Sequence, residues 1–457
     1  MTRDVILKTL YVFYIGILIF LLFWNKSFLG YLFEGNITNY NWLNIIYNLG
    51  LDSLSIFFLI LSCLLLIICV LLCWFWSYEF YFYGLIILFV LIILLNLFLV
   101  KDIFLIFFFF ELVVLPLFLL VGKWGTRDRK IYSSYMLLVY TLIGSIFALF
   151  AFILIYSALG FSSLISLLNS VDVFDNFLQI LLFFFIFVGF CVKVPVIPVH
   201  IWLPEAHVEA PTAGSVILAG IVLKLGFYVY IRTLVFTFIQ VLFYFMSFIF
   251  ILALVGLYIS SFAALAQFDV KKIVAYSSIS HMNFILIGLF ANNLIALIGS
   301  FFMMFGHALV ASALFSSVGI LYDRYKTRLI FYFGGLVLLM PLWSTFFFVF
   351  ILGNFSLPGT INFVGEFIIF LGSFFVSNFI ILCCFLALFI TLVCSLFLYV
   401  RLANGSIKVQ FIRYFADFTR REYWLLAPIF LMIIVFGLLP NIFIDYFFAD
   451  LLYFYMN

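Results

Sequence analysis

Long apolar runs separated by short polar segments are the dominant pattern of this chain. A hydrocarbon core of ~30 Å requires about 20 apolar residues per helix, and a spanning helix satisfies its own backbone hydrogen bonds. The alternating pattern of a membrane barrel is absent. The pattern predicts an all-α polytopic membrane protein with about 13 to 14 transmembrane helices. The runs predicted as helices are 5–24, 52–76, 79–99, 103–122, 131–157, 178–206, 211–233, 238–264, 271–290, 293–321, 337–378, 380–402 and 424–447.

Two of these runs, 178–206 and 337–378, are too long for one straight crossing. The residues that interrupt them are Pro195 and Pro198 in the first run, and Gly353, Pro358 and Gly359 in the second. The two runs are sixth and eleventh in the order of predicted helices, and this odd offset gives them opposite directions in the membrane. We therefore predict two inverted five-helix repeats, each with one broken helix, a pattern typical of transporters with an ion site near the midplane.

The predicted organisation has four parts. They are N-terminal helices at 1–78, a first repeat at 79–233, a second repeat at 238–402, and a C-terminal loop and helix at 403–457. Each repeat carries one ionisable residue at an equivalent place, since Lys193 falls at the first break and Glu366 just after the second. The segment 25–51 is long and polar, and no helix is predicted there.

Composition supports the membrane assignment. Of the 457 residues, 69% are hydrophobic and only 9% are charged, and the mean hydropathy is +1.40. Such a chain cannot cover a water-facing surface with polar groups. The seven cysteines lie in apolar runs, without CxxC spacing or metal-ligand spacing to the four histidines, so we expect buried thiols and neither a cofactor nor a metal. Nothing in the pattern indicates a nucleotide site or nucleic-acid binding.

Basic residues concentrate on one predicted side of the membrane. Threading the chain through the helices places four loops there, and they hold two thirds of the 21 Lys and Arg: 123–130, 265–272, 322–328 and 401–423. The opposite loop at 158–177 carries only two Asp. The positive-inside rule predicts that the basic side faces the cytoplasm or a mitochondrial matrix. We interpret the charges of DVKK and YDRYKTR, in the second and third loops, as solvated charges that set topology.

Six ionisable side chains lie inside predicted helices rather than at their ends. A charge near the bilayer centre costs roughly 2.5–3.5 kcal/mol on insertion scales, so each such group is a functional hypothesis by default. Burial disfavours the charged form of any ionisable group, which allows proton exchange at physiological pH. The six residues are Glu111, Lys193, Lys224, His281, His307 and Glu366.

Most of these groups also have a structural interpretation. Glu111 and Lys193 could form a purely structural ion pair, but a buried pair indicates little about stability, and a role in proton entry is favoured. Lys224 lies too deep in its helix to reach either surface, and Tyr228, one turn later, is its expected hydrogen-bond neighbour. The alternative for the two histidines is a hydrogen bond to a neighbouring helix.

Four further polar residues lie near the predicted breaks. His200, beside Pro198, is a candidate for the proton path. His207 and Glu209 are expected to order the loop LPEAHVEAP, where water would reach them. Asn362 lies one helical turn before Glu366 on the same face.

The block LPEAHVEAPTAGSVILAGIVLKLGFYVYIR, at 203–232, closely resembles the antiporter-like membrane subunits of respiratory complex I, NADH:ubiquinone oxidoreductase. Three further blocks match the subunit 4 branch of that family rather than its sister branches. They are FDVKKIVAYSSISHM at 268–282, HALVASALFSSVGILYDRYKTR at 307–328 and PGTINFVGEF at 358–367. With KVPVIPVHIWLP, the resemblance covers roughly 190–370.

The resemblance implies a proton-translocating subunit of the membrane arm, driven by quinone reduction elsewhere in the complex. It implies an input pair of Glu111 and Lys193, a central relay at Lys224, and an exit group at Glu366, with His281 and His307 on a hydrated axis. The implied partners are the other membrane-arm subunits, above all neighbouring antiporter-like ones, while NADH and quinone bind elsewhere. The family usually has fourteen helices, one more than the runs predicted here.

The location expected from the sequence is the mitochondrial inner membrane, with the basic loops in the matrix. The chain lacks an Arg-rich and Ser-rich transit peptide and has a bias toward Phe that fits an AT-rich genome, so synthesis inside the organelle is expected. Two alternatives stay open. The chain could belong to a multisubunit cation/proton antiporter that exchanges sodium or potassium, or it could be a scaffold that only extends the membrane arm.

Overall fold

The computed structural model describes residues 34–42, 45–73, 80–408, 416–441 and 444. The chain divides into two compact units. Unit 1 contains the described residues up to Val194 together with 221–247, and unit 2 contains 195–220 and the described residues from Phe248 to Ile444. The predicted first helix, 5–24, lies outside the described residues.

Helices account for most of the described chain, which confirms the all-α polytopic class. In chain order they are α1 (Ser53–Leu72), α2 (Phe80–Leu99), α3 (Ile103–Leu112), α4 (Val114–Trp124), α5 (Lys130–Leu159), α6 (Leu164–Ser170), α7 (Asn176–Cys191), α8 (Trp202–Glu209), α9 (Thr212–Ile217), α10 (Leu223–Tyr230), α11 (Ile239–Leu265), α12 (Val270–Phe290), α13 (Leu294–Tyr325), α14 (Leu336–Leu339), α15 (Pro341–Asn354), α16 (Ile361–Phe374), α17 (Asn378–Ala403) and α18 (Arg420–Leu438). Within the described residues, ten helical segments are long and apolar enough to cross a membrane.

A β-hairpin stands where the sequence showed a long polar segment. Strand β1 (Glu34–Trp42) pairs antiparallel with β2 (Ile45–Gly50), and Glu34 lies opposite Gly50. The sequences EGNITNYNW and IIYNLG mix β-branched and aromatic residues with asparagine. This composition favours strands and is too polar for a spanning helix. The prediction recognised the polarity but not the pairing.

Both broken helices are confirmed. Helix α7 ends at Cys191 and α8 begins at Trp202, with Pro195 and Pro198 in the turns between them. Proline lacks the backbone N–H that a continuing helix needs, which explains this interruption.

The second break separates α15, which ends at Asn354, from α16, which begins at Ile361. Gly359 there has a φ of 96°, a conformation that side chains with a Cβ rarely adopt. The inverted relation of the two predicted repeats, and their boundaries, stay predictions.

In unit 1, the start of α3 fixes the position of Glu111. The carboxylate of Asp102 accepts hydrogen bonds from the backbone N–H groups of Phe104 and Leu105, at 2.9 and 3.3 Å. Its second oxygen accepts from the hydroxyl of Ser162. This N-cap satisfies donors that the first turn leaves open, so the helix has a defined beginning nine residues before Glu111.

In unit 2, helices α13 and α16 touch along their backbones. A Cβ added to Gly299 would lie 2.7 Å from the backbone nitrogen of Ile369, and one added to Gly365 would lie 2.8 Å from that of Met303. Small residues at such positions allow close helix contact in a membrane. This contact places His307, on α13, beside the helix that carries Glu366.

Candidate functional site

Unit 1 holds a buried ion pair between two predicted site residues. The Nζ atom of Lys193 lies 3.0 Å from Oε1 of Glu111, and it also donates to the backbone carbonyl of Phe110 at 2.8 Å. The ammonium sits 3.2 Å from the centroid of the Phe110 ring. The Lys193 side chain is 3% exposed and that of Glu111 is 17% exposed, while the Oε2 atom of Glu111 is itself buried.

The break after α7 puts Lys193 in this position. The backbone N–H groups of Lys193 and Val194 both donate to the carbonyl of Phe190, at 3.1 Å each. The chain therefore turns out of its helix at the residue whose side chain reaches Glu111. A carboxylate and an ammonium at 3.0 Å have strongly coupled charges, so neutralising the carboxylate changes the proton affinity of the lysine.

Lys224 lies in the same unit and is completely buried. It follows the π-helical turn Leu218–Val222 by two residues, and such turns often mark functional positions. Two residues further on, a Cβ at Gly226 would lie 2.6 Å from Val194 and 3.6 Å from the Cβ of Lys193. Helix α10 therefore packs directly on the segment that carries Lys193, and glycine permits that approach.

The expected neighbour of Lys224 has other contacts. The hydroxyl of Tyr228 donates to the backbone carbonyl of Phe98 at 3.3 Å. The Arg232 guanidinium lies 5.4 Å from the Tyr228 ring and forms an ion pair with Asp52. Arg232 is not among the predicted site residues, because its partner Asp52 is distant in sequence.

Unit 2 brings together the other three buried groups. The Nδ1 atom of His281 lies 3.5 Å from Oε1 of Glu366, and the ring centroids of His281 and His307 are 5.5 Å apart. All three side chains are buried. Two imidazoles and a carboxylate at these distances can pass a proton by small side-chain movements, because each imidazole has one nitrogen to accept it and another to release it.

Glu366 also borders a cavity of about 310 Å³ within unit 2. Ser356, from the segment that interrupts the helix, lines it together with several Phe residues. Asn362 donates to the carbonyl of Gly353 at 2.9 Å and so bridges the two sides of the break. The break thus supplies both an opening beside Glu366 and a hydrogen bond that holds its shape.

The remaining predicted residues lie near the first break. His200 is partly buried and lies close to the backbone of Pro198. His207 and Glu209 belong to helix α8 and are buried, at 0% and 2% exposure. The expectation that water reaches them easily is wrong. The His207 ring stacks on Phe315 at 4.6 Å, which accounts for its burial.

The interpretation of DVKK and YDRYKTR as solvated loops is also wrong in part. Lys271 is buried, and its ammonium donates to the carbonyl of Ala210 at 3.0 Å. Arg328 is 1% exposed and donates to the carbonyl of Val208. Both cations therefore bind carbonyl groups at the C-terminal end of α8, where a helix leaves acceptors unsatisfied and its dipole attracts positive charge. Lys272, by contrast, pairs with Glu205 at 2.8 Å in a partly exposed position.

Comparisons with known proteins agree on one family. A family model described as NADH:quinone oxidoreductase/Mrp antiporter, TM, matches residues 100–391. The NADH-ubiquinone oxidoreductase chain 4 of Chondrus crispus is 43% identical over 404 residues, which cover 88% of this chain and 82% of that protein.

Two solved structures share the fold. One is respiratory complex I from Thermus thermophilus with bound NADH, with a TM-score of 0.88, 22% identity, and coverage of 98% of this chain and 95% of that one. The other is the Mrp complex from Dietzia sp. DQ12-45-1b, with a TM-score of 0.85, 19% identity, and coverage of 99% and 93%.

Proposed function

Because this chain belongs to the NADH:quinone oxidoreductase/Mrp antiporter family of membrane subunits, we propose that it translocates protons in the membrane arm of an NADH:ubiquinone oxidoreductase. Quinone reduction elsewhere in the complex drives the transfer, and the proposed part of this chain is proton translocation rather than redox chemistry. The observation that carries the proposal is the ion pair of Lys193 and Glu111, at 3.0 Å among apolar helices. An intramembrane ion pair that can open is a means of switching proton affinity.

Each buried group has a proposed role. Glu111 and Lys193 form the input pair, and loading a proton on Glu111 releases Lys193 from it. Lys224 is the central relay, since its burial is complete and its helix packs on the segment that bears Lys193. His281 and His307 carry the proton to Glu366, the exit group. His200 belongs to the same proton path.

Assembly and location follow from the same family. The partners are the other membrane-arm subunits, especially neighbouring antiporter-like chains, and the lipid bilayer. The membrane is the mitochondrial inner membrane, and the basic loops face the matrix in accordance with the positive-inside rule. The two inverted repeats, 79–233 and 238–402, each contribute one broken helix to the path.

A cation/proton antiporter is the second candidate, because the fold is shared with an Mrp complex. Identity to that structure is only 19%, whereas identity to an NADH-ubiquinone oxidoreductase chain reaches 43%. The subunit of the oxidoreductase is therefore favoured. A scaffold is the weakest candidate, since structural helices do not require an ion pair and a histidine–carboxylate group at membrane depth.

Two measurements of proton transport test the proposal, both with the intact complex reconstituted in vesicles. One varies the cation in the medium, and the other uses a substitution of Lys224. NADH oxidation is expected to drive proton transport equally well in sodium and choline media. Lys224→Met, which keeps the volume and removes the charge, is expected to lower the number of protons moved per NADH while the complex remains assembled. Transport that depends on sodium would favour the antiporter, and an unchanged proton yield in Lys224→Met would contradict the relay role.

A further inference from the structure

A second cavity in unit 2 is unrelated to the buried ionisable groups. Its volume is about 410 Å³, and it lies where α11 ends at Leu265 and α17 ends at Ala403. These ends belong to the loops that the sequence places on the basic side of the membrane. Among the described residues, the charged side chains of its lining are Arg401 and Lys408, and none is a carboxylate. A basic pocket between helices at a membrane surface is the type of site that holds an anionic headgroup.

The two cations are held at the cavity by contacts that leave donors available. Lys408 donates to the backbone carbonyl of Phe331, and an ammonium has two further N–H donors. The Arg401 guanidinium lies 4.9 Å from the centroid of the Phe397 ring, a contact with the ring face that leaves its N–H donors for oxygen ligands. Polar side chains of Gln267, Asn404 and Ser406 complete the lining.

Aromatic rings form the rim of this cavity. Phe268 and Phe331 are 57% and 55% exposed, and their ring centroids are 4.7 Å apart. Two exposed apolar rings beside a pair of cations match an amphiphilic ligand better than a small soluble anion.

Two apolar stripes lead from the cavity toward the membrane interior. On α11 the exposed residues are Ile251, Val255, Ile259, Phe262 and Leu265, and on α17 they are Phe389, Val393, Phe397 and Val400. Their spacing of three or four residues keeps each stripe on one helix face. A hydrogen bond of 2.8 Å from the Tyr258 hydroxyl to the Cys383 carbonyl joins the two helices further from the cavity.

From this arrangement we propose that the cavity binds an anionic phospholipid. The phosphodiester lies between Arg401 and Lys408, and the acyl chains lie along the exposed stripes of α11 and α17. The headgroup cavity shares no lining residue with the cavity beside Glu366, although the α17 stripe reaches Phe389, which lines that cavity. The site would attach the second unit to a defined lipid on the basic side of the membrane.

Photo-cross-linking in the intact complex tests this site. The probe is phosphatidylglycerol with a photoreactive group on one acyl chain, in phosphatidylcholine vesicles, and labelling of the chain is mapped by peptide analysis. Label is expected on the stripes of α11 and α17, with displacement by excess unlabelled phosphatidylglycerol but not by phosphatidylcholine. Inorganic phosphate is expected not to compete. Competition by inorganic phosphate would identify a free-anion site and overturn the lipid assignment.

Substitutions test whether Arg401 and Lys408 bind the anionic headgroup. Arg401→Gln and Lys408→Gln are each expected to reduce the labelling about fivefold, since a cation near a membrane surface contributes ~1 kcal/mol to binding of anionic lipid. The charge-conserving pair Arg401→Lys and Lys408→Arg is expected to retain it, as is Lys326→Gln, an exposed cation in the same unit away from this cavity. Labelling is normalised to assembled chain. Unchanged labelling in the double Gln variant, or equal labelling by a phosphatidylcholine probe, would overturn the proposal.

Discussion

At the scale of the residue, Lys193 has three contacts that bear on its proposed role in proton transfer. Its ammonium has a carboxylate at 3.0 Å, a backbone carbonyl at 2.8 Å and an aromatic ring beneath it. The three contacts favour the charged form while burial disfavours it, so neutralising Glu111 or moving it away would make proton loss from Lys193 easier. The Glu111 side chain is 17% exposed, and its Oε2 atom is buried. In the proposed role of this pair, protonation of Glu111 weakens its hold on the Lys193 ammonium.

Removing one partner of this pair should cost more than removing both. Lys193→Met leaves Glu111 without its cation and is expected to destabilise the assembled chain by about 2 kcal/mol, less than the ~3–5 kcal/mol of a fully buried pair because Glu111 is 17% exposed. The double variant Glu111→Gln with Lys193→Met is expected to recover most of that loss. Midpoints of thermal disassembly of the purified complex measure both effects. Equal midpoints for the single and double variants would show that the two charges do not interact.

At the scale of elements, the two helix breaks have different effects. The first break directs Lys193 toward Glu111. After this break, Lys271 and Arg328 bind carbonyl groups at the C-terminal end of α8. The second opens a cavity beside Glu366 and is bridged by Asn362. Proline and glycine signalled both breaks in the sequence. The contacts that stabilise them come from residues far along the chain and were not predictable from local patterns.

The bond from Lys271 to Ala210 should hold the end of α8 in place. Lys271→Met removes a hydrogen bond from a charged donor, a type that contributes about 1.5–3 kcal/mol. Hydrogen exchange of the backbone amides at 202–210 is expected to rise about tenfold or more. Lys272→Met is the matched control, because that neighbour pairs with Glu205 in a partly exposed position. Equal exchange in the two variants would contradict a special role for Lys271.

The backbone contact of α13 and α16 should tolerate no added atom. Gly365→Ala places a Cβ 2.8 Å from the backbone nitrogen of Met303, and overpacking of this kind costs about 1–3 kcal/mol. The thermal midpoint of the complex is expected to fall, together with proton transport, because the helices bearing His307 and Glu366 move apart. Gly122→Ala, where the nearest atom is a side-chain hydroxyl at 3.2 Å, serves as control and should change little.

At the scale of the whole molecule, the sequence predicted the membrane class, most of the helices and the two interruptions. These features depend on apolar length and on proline and glycine, which are local signals. It also singled out the ionisable residues that the structure places in two buried groups, since a charge within an apolar run is conspicuous. The hairpin, the Asp52–Arg232 pair and the burial of Lys271 and Arg328 were missed, because each depends on a partner distant in sequence.

The central claim is that the pair of Glu111 and Lys193 admits protons to a translocation path. Proton transport per NADH oxidised, in vesicles containing the intact complex, tests it most directly when wild type is compared with Glu111→Gln. The control is Glu205→Gln, which removes a carboxylate from the partly exposed pair with Lys272. The account predicts a lower proton yield for Glu111→Gln with assembly unaffected, and an unchanged yield for Glu205→Gln. An undiminished yield in Glu111→Gln would contradict it.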